Sequence, residues 1–324
     1  MRVRFFFITP LVVFFGCSQN STTENDYLIN EIEFVAPASP GGGWDQTARL
    51  IQEVLLSEDI INTSQVINIP GAGGTIGLAR LATDSQDRSM KVMLSGLIMM
   101  GATITNNSPL TLDDTIPIAR LLGEYEVLVV PANSPFSDLA SFLREWKADP
   151  GSFPVAGGSA GGTDHMVLGL LALDQQVDPK VINYLPHSGG GESLAAILGG
   201  HVEAGINGYG ELRSFIESGR VRALAISSPI RLEGVNIPTF LEQGVNIELA
   251  NWRSLIASPH ESDENIKTYI ELARRLNELD AWSDVLIKNN WTNLFLADEE
   301  FKDFLFYENQ RVINVLSSIG LIND

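Results

Sequence analysis

Short runs of β-branched and other apolar residues alternate along most of the chain with stretches in which apolar positions recur every three or four residues. Glycine or proline marks most of the junctions between them. The short runs predict strands over 32–36, 65–69, 91–95, 126–130, 153–156, 181–185, 202–206 and 221–227. Helical spacing joins Trp44, Ala48, Ile51, Val54 and Leu55, then Phe142, Leu143 and Trp146, then Leu194, Ile197 and Leu198. Beyond Pro259 the pattern turns mostly helical, over 264–279, 281–288 and 299–319. Alternating strands and helices are the rhythm of βαβ units, and they predict an α/β fold around a parallel sheet. No repeat of short fixed period and no low-complexity run interrupts it.

Composition divides the chain further. Residues 151–219 are rich in glycine, whereas the tail from Asn251 is rich in charged and large apolar residues. If the tail packs back on the first sheet, two α/β lobes result, 31–127 plus 251–324 and 128–250, joined by crossings near 128 and 250. A cleft between lobes is a favoured place for a small molecule. With 324 residues, 44% of them hydrophobic, the core for such a molecule is available.

Charge and scarce residues narrow the chemistry. Forty acidic residues against 21 Lys and Arg leave a formal charge of −19. A nucleic-acid binder needs a basic face to neutralise phosphates, so nucleic acid is not an expected partner. One cysteine and four histidines without ligand spacing exclude a thiolate zinc site, so no metal enzyme and no other cofactor is expected, while carboxylate sites for magnesium or calcium stay open. At the N-terminus, Arg2 and Arg4 precede an apolar stretch over 5–15, then Gly16, Cys17 and the polar tract SQNSTTEND. The apolar stretch is too short for the ~20 residues that span a bilayer. The arrangement resembles a bacterial lipoprotein signal, with Phe14 where an aliphatic residue is usual. It implies a signal peptide over 1–16, acylation of Cys17, a polar tether over 17–30 and an exported protein attached to a membrane by lipid.

Four glycine-rich segments stand where a predicted strand hands over to a helix. The first holds Gly41, Gly42, Gly43, Trp44 and Asp45, and the second Gly71, Gly73, Gly74 and Thr75. The third runs from Gly157 through Ser159 and Thr163 to Asp164, and the fourth holds Ser188, Gly189, Gly190, Gly191 and Glu192. Glycine lets backbone approach a ligand closely, and the free N–H groups of a helix start carry partial positive charge. All four lie at the strand edge where open α/β sheets bind ligands. Neither a phosphate-loop nor a dinucleotide-loop pattern is present. Backbone N–H groups with the hydroxyls of Thr75, Ser159 and Thr163 can hold a carboxylate without arginine, so an acidic protein can still bind an anion locally. Asp45 reads equally as a helix cap paired with Arg49 or as a water-mediated ligand contact. Asp164 and Glu192 can accept hydrogen bonds from ligand hydroxyls or water.

A rival reading is hydrolytic, because Gly157-Gly158-Ser159-Ala160-Gly161 matches the G-x-S-x-G nucleophile elbow. In an elbow the helix starts at the serine, whereas Gly161, Gly162 and Thr163 delay it here, and no oxyanion loop precedes Ser159. The protein is therefore expected to bind rather than catalyse.

The segments APASPGGGWDQTARLIQ, INIPGAGGTIGLARLA, GGSAGGTDHMVLGLLA, YLPHSGGGESLAAILGGHVEAGI and SGRVRALAISSPIR, in this order, resemble the Bug-type substrate-binding receptors of tripartite tricarboxylate transporters. The likeness runs from about Ile32 to the C-terminus. It implies a two-lobed periplasmic-binding-protein fold of type II, with a ligand cleft between the lobes and two hinge crossings. It also implies a small tri- or dicarboxylate ligand, citrate-like for the GGGWD variant of the first loop, and membrane permease subunits as partners. By position the binding loops are 41–45, 71–75, 159–164 and 189–192. A ligand sensor of the same fold, feeding a signalling receptor, is an alternative output.

Overall fold

The computed structural model describes residues 28–85, 89–187 and 190–322. The expected signal peptide, Cys17 and most of the tether lie outside the described residues, as do Ser188 and Gly189.

The N-terminal part is built on β1 (Ile29–Ala36), β2 (Ile61–Asn68) and β3 (Lys91–Gly96), with α1 (Gly43–Ser57), α2 (Thr75–Thr83) and α3 (Leu97–Thr105) between and after them. β1 pairs in parallel with both β2 and β3. In α1 the periodic set Ala48, Ile51, Val54 and Leu55 is buried against Ile32 and Phe34 of β1, as its spacing requires.

The long β4 (Ile116–Pro131) then connects two sheets. Its residues 116–125 pair antiparallel with β9 (Ala250–Ala257), and its residues 119–123 also pair with β10 (Thr292–Ala297). From Glu126 onward it pairs antiparallel with β7 (Ala204–Gly208) and β8 (Val221–Ile226). β5 (Pro154–Gly157) and β6 (Asn183–Pro186) extend that second sheet in parallel with β7. Helices α4 (Leu139–Ala148), α5 (Thr163–Asp174), α6 (Gly190–Leu198) and α7 (Tyr209–Glu217) cover it. The chain returns through β9 to α8 (Asp263–Glu278), α9 (Asp280–Asn289), β10 and α10 (Glu299–Ser318).

Two expectations are corrected. The sheet is mixed, because β9 runs antiparallel to both β3 and β4. The mostly helical tail contains β10, a six-residue run, TNLFLA, too short for periodicity to separate from the helical segments flanking it. One core runs through both parts: Met93, Met99, Leu128, Met166, Leu168 and Phe301 belong to a single buried cluster. α10 crosses it, with Phe301 and Leu305 in that core and Ile319 against Gly169 of α5.

Candidate functional site

The glycine segments follow β1, β2, β5 and β6 and open α1, α2, α5 and α6. Gly42, Gly74 and Gly162 are the N-caps of α1, α2 and α5, and Gly208 that of α7, and none supplies a side-chain cap. By contrast α4 and α8 are capped by Asp138 and Ser262. The first N–H groups of the glycine-capped helices have no partner within their own helix, which suits them to an incoming anion.

In the first loop Asp45 is 2% exposed, and its carboxylate accepts from Gly41 N at 2.8 Å, Arg49 Nε at 3.0 Å and Asn68 Nδ2 at 2.9 Å. The bond from Arg49 is the main cause that lowers its pKa to about 2. Both oxygens are engaged in closing the loop on itself. Trp44 donates from Nε1 to Ser95 O at 3.3 Å, and its ring packs on Gly74. There φ is +92°, and a Cβ would stand 2.7 Å from Met99 Cε and 3.1 Å from the indole. Glycine is required by both the conformation and the space. The Thr75 hydroxyl donates to Ala72 O at 3.0 Å.

In the third loop Ser159 is exposed, and α5 begins four residues later, at Thr163. Among the described residues no imidazole hydrogen-bonds to Ser159: His165 Nδ1 accepts from Gly161 N at 3.2 Å, and the His165 ring stacks on Tyr184 at 4.2 Å between centroids. Burial lowers the His165 pKa to about 4, so the ring is neutral. The nucleophile-elbow geometry is absent at this serine. Thr163 Oγ1 is buried and has no hydrogen-bond partner among the described residues.

Two cavities lie along the cleft. One, of about 190 Å³, brings Gly73 of the second loop to Ser159 and Gly162 of the third, with Ala102 and Asn106 of α3 and its end between them. The other, of about 260 Å³, joins Gly41 and Gly43 to Gly210 and Glu211 at the start of α7, over Glu124 and Arg253. Gly191 and Glu192 are not among the described residues that line either cavity.

Sequence alone does not reveal the charged groups beneath the second cavity. Arg253 on β9 pairs with Glu124 at 3.2 Å, donates to Thr47 Oγ1 at 2.9 Å and lies 4.9 Å from the centre of the Trp291 ring. Glu124 also accepts from Gly210 N at 3.2 Å. Glu126, 1% exposed, stands on the same face of β4, facing Asp164 and Glu211 as well as Glu124. Loss of hydration first, and then Asp164, raises the Glu126 pKa well above the usual carboxylate range. Asp164 accepts from Gly158 N, yet burial raises its pKa to about 6, with Glu124 adding to the effect. The one available signal was a pair of acids two residues apart, GEYEVLVV, inside an otherwise apolar strand.

No group of three His, Cys, Asp or Glu side chains among the described residues could hold a metal ion. No helix among them is long and apolar enough to cross a membrane.

Two sheets sharing β4, with glycine-capped helices facing a cleft, define a two-lobed solute-binding protein. Residues 47–321 match the family model of the tripartite tricarboxylate transporter family receptor, and the chain belongs to that family. It is 27% identical over 302 residues to protein BugT of Bordetella pertussis, covering 91% of this chain and 90% of that protein. Among solved structures it is similar to a ligand-free TctC solute-binding protein from Polaromonas, at 25% identity, TM-score 0.71 and coverage of 89% of this chain and 98% of that one. It shares its fold with a Rhodopseudomonas palustris protein solved with adipate, at 21% identity, TM-score 0.77 and coverage of 90% and 97%.

Proposed function

We propose that this protein is an extracytoplasmic receptor that closes two lobes, 31–127 plus 251–324 and 128–250, over a small carboxylate. It then delivers the ligand to the permease subunits of a tripartite tricarboxylate transporter. The observation that carries this reading is the set of uncapped helix starts, Gly42–α1 and Gly74–α2 on one side of the cleft and Gly162–α5 on the other. They offer N–H donors and partial positive charge to a carboxylate without a dedicated cation. The candidate donors are the backbone of Gly43, Trp44 and Thr163 together with the hydroxyls of Ser159 and Thr163.

Within the citrate-like class of tri- and dicarboxylates, the acids at the cleft floor favour ligands with fewer negative charges, as does the adipate bound by the Rhodopseudomonas fold relative. Export, with lipid on Cys17 tethering the domain to the membrane, completes the reading. A thermal-shift screen of C4 to C6 carboxylates tests it. Concentration-dependent stabilisation by at least one is expected, with no labelling by a fluorophosphonate probe. No shift across the library, or labelling lost in Ser159→Ala together with ester turnover, would overturn it.

A further inference from the structure

We propose that Glu126 is a positioning residue for the third glycine loop: it shares one proton with Asp164, and that proton keeps the loop shaped for a carboxylate. This deepens the receptor reading and rests on it.

The Glu126 carboxyl is hydrogen-bonded to that of Asp164. An ionised carboxylate can only accept, so two carboxyls joined by a hydrogen bond hold a proton between them. Glu126 is 1% exposed, and its Oε2 receives no hydrogen bond from any described donor. A buried oxygen that receives nothing is better a hydroxyl that donates than part of an anion. The proton therefore belongs on Glu126, with Asp164 as its acceptor.

Asp164 passes the constraint to the loop. It stands in the first turn of α5 and accepts from Gly158 N, while the Tyr184 hydroxyl donates to Gly158 O at 2.8 Å. A Cβ at Gly157 would stand 2.8 Å from Asp164 Cβ, and one at Gly158 3.0 Å from its Oδ2, so these two glycines let the loop close on the side chain. Ser159 and Thr163 lie in the chain between Gly158 and Asp164, so the bond that fixes Asp164 also fixes the candidate ligand donors. At the other end, Glu126 is the residue at which β4 leaves β9 for β7, and its N–H donates to Ser227 Oγ at 2.9 Å.

The groups turned toward the pair are Glu124 on the same strand, Glu211 on α7 and the Tyr184 phenol on β6. His187, just past β6, meets Gly157 O at 3.2 Å, and the neutral His165 stacks on Tyr184. Arg253 on β9 is paired with Glu124, and Lys288 on α9 lines the cavity beyond it. Lost hydration and the surrounding acids oppose a second negative charge on the pair. Loss of the last proton puts two facing anions at the start of α5, where they repel each other and oppose a ligand carboxylate.

Infrared spectroscopy on the full chain, with titration calorimetry using adipate and tricarballylate, tests this. The difference spectrum between wild type and Glu126→Gln at pH 7.5 is expected to show the carbonyl band of a protonated carboxyl. Wild-type affinity for whichever compound binds is expected to fall at least about tenfold from about pH 6.5 to about pH 9 as the shared proton leaves. Glu126→Gln, whose amide donates to Asp164 at every pH, should keep the wild type's affinity at the lower pH and lose most of that dependence. Glu126→Leu, checked as folded by circular dichroism, should bind weakly throughout. A difference spectrum showing only ionised carboxylate overturns the shared proton and leaves the receptor standing. So does a pH dependence that is absent in the wild type or equally large in Glu126→Gln. Failure of both compounds to bind folded wild-type protein overturns the receptor reading itself.

Discussion

Arg253 and Ser159 mark the two ways a single residue can matter in this cleft. The Arg253 side chain is enclosed between Thr47, Glu124 and Trp291, so Arg253→Ala leaves the Glu124 carboxylate buried without its counter-charge. Breaking one side of a buried pair costs about 3–5 kcal/mol, and urea unfolding of the variant is expected to show a loss of that order. Ser159 is exposed, so its alanine variant is expected to unfold like the wild type. Its affinity for the carboxylate is expected to fall about 10- to 150-fold, the equivalent of one hydrogen bond to a charged group. Calorimetry beside an unfolding curve separates the two effects. Residues of the Ser159 kind were legible in the sequence because glycine-rich spacing announces a binding loop. Asp45 and Arg49, one turn apart, were legible as a pair. Glu211 and Arg253 were not, because each reads alone as a surface charge, and Glu124 and Glu126 left only the trace of two acids beside an apolar run; only the meeting of β4, α7 and β9 brings the four together.

At the level of elements, the second loop depends on Gly74, whose φ of +92° and missing side chain let the Trp44 indole lie over it. Gly74→Ala is expected to cost about 1–3 kcal/mol through overpacking against Met99 and Trp44. It should also weaken carboxylate binding by displacing Trp44 and the start of α1. Thermal unfolding and a binding titration on the same variant check both parts. Strand-to-helix junctions of this kind were readable because apolar period and glycine punctuation change together there. β9 was not foreseen: its alternation is hidden, since residues 252–257 are all buried, including the charged Arg253, and the run carries no turn signal of its own. Missing β9 also concealed the antiparallel half of the sheet, because that strand joins β3 to β4.

The molecule as a whole joins an acidic cleft to a core that α10 spans, so protonation of the cleft should register in global stability. Asp164 has its pKa raised from 3.8 to about 6 on folding, which means the folded state holds a proton that the unfolded chain has released. That contribution is complete below about pH 4 and is lost as pH rises through about 6. Asp45, lowered to about 2, works oppositely, its contribution being lost only as pH falls below about 4. The melting temperature of the ligand-free protein is therefore expected to decline between pH 5 and pH 7.5, and Asp164→Asn should flatten the decline. A melting temperature that is level or rises over this range would contradict the assignment. The central claim, a carboxylate held between glycine loops of two lobes, is tested most directly by hydrogen–deuterium exchange with and without a saturating carboxylate. Slowed exchange is expected at the start of α1 around Gly43 and Trp44 and at the start of α5 around Thr163, on opposite sides of the cleft. Proven saturation with neither helix start protected would contradict it.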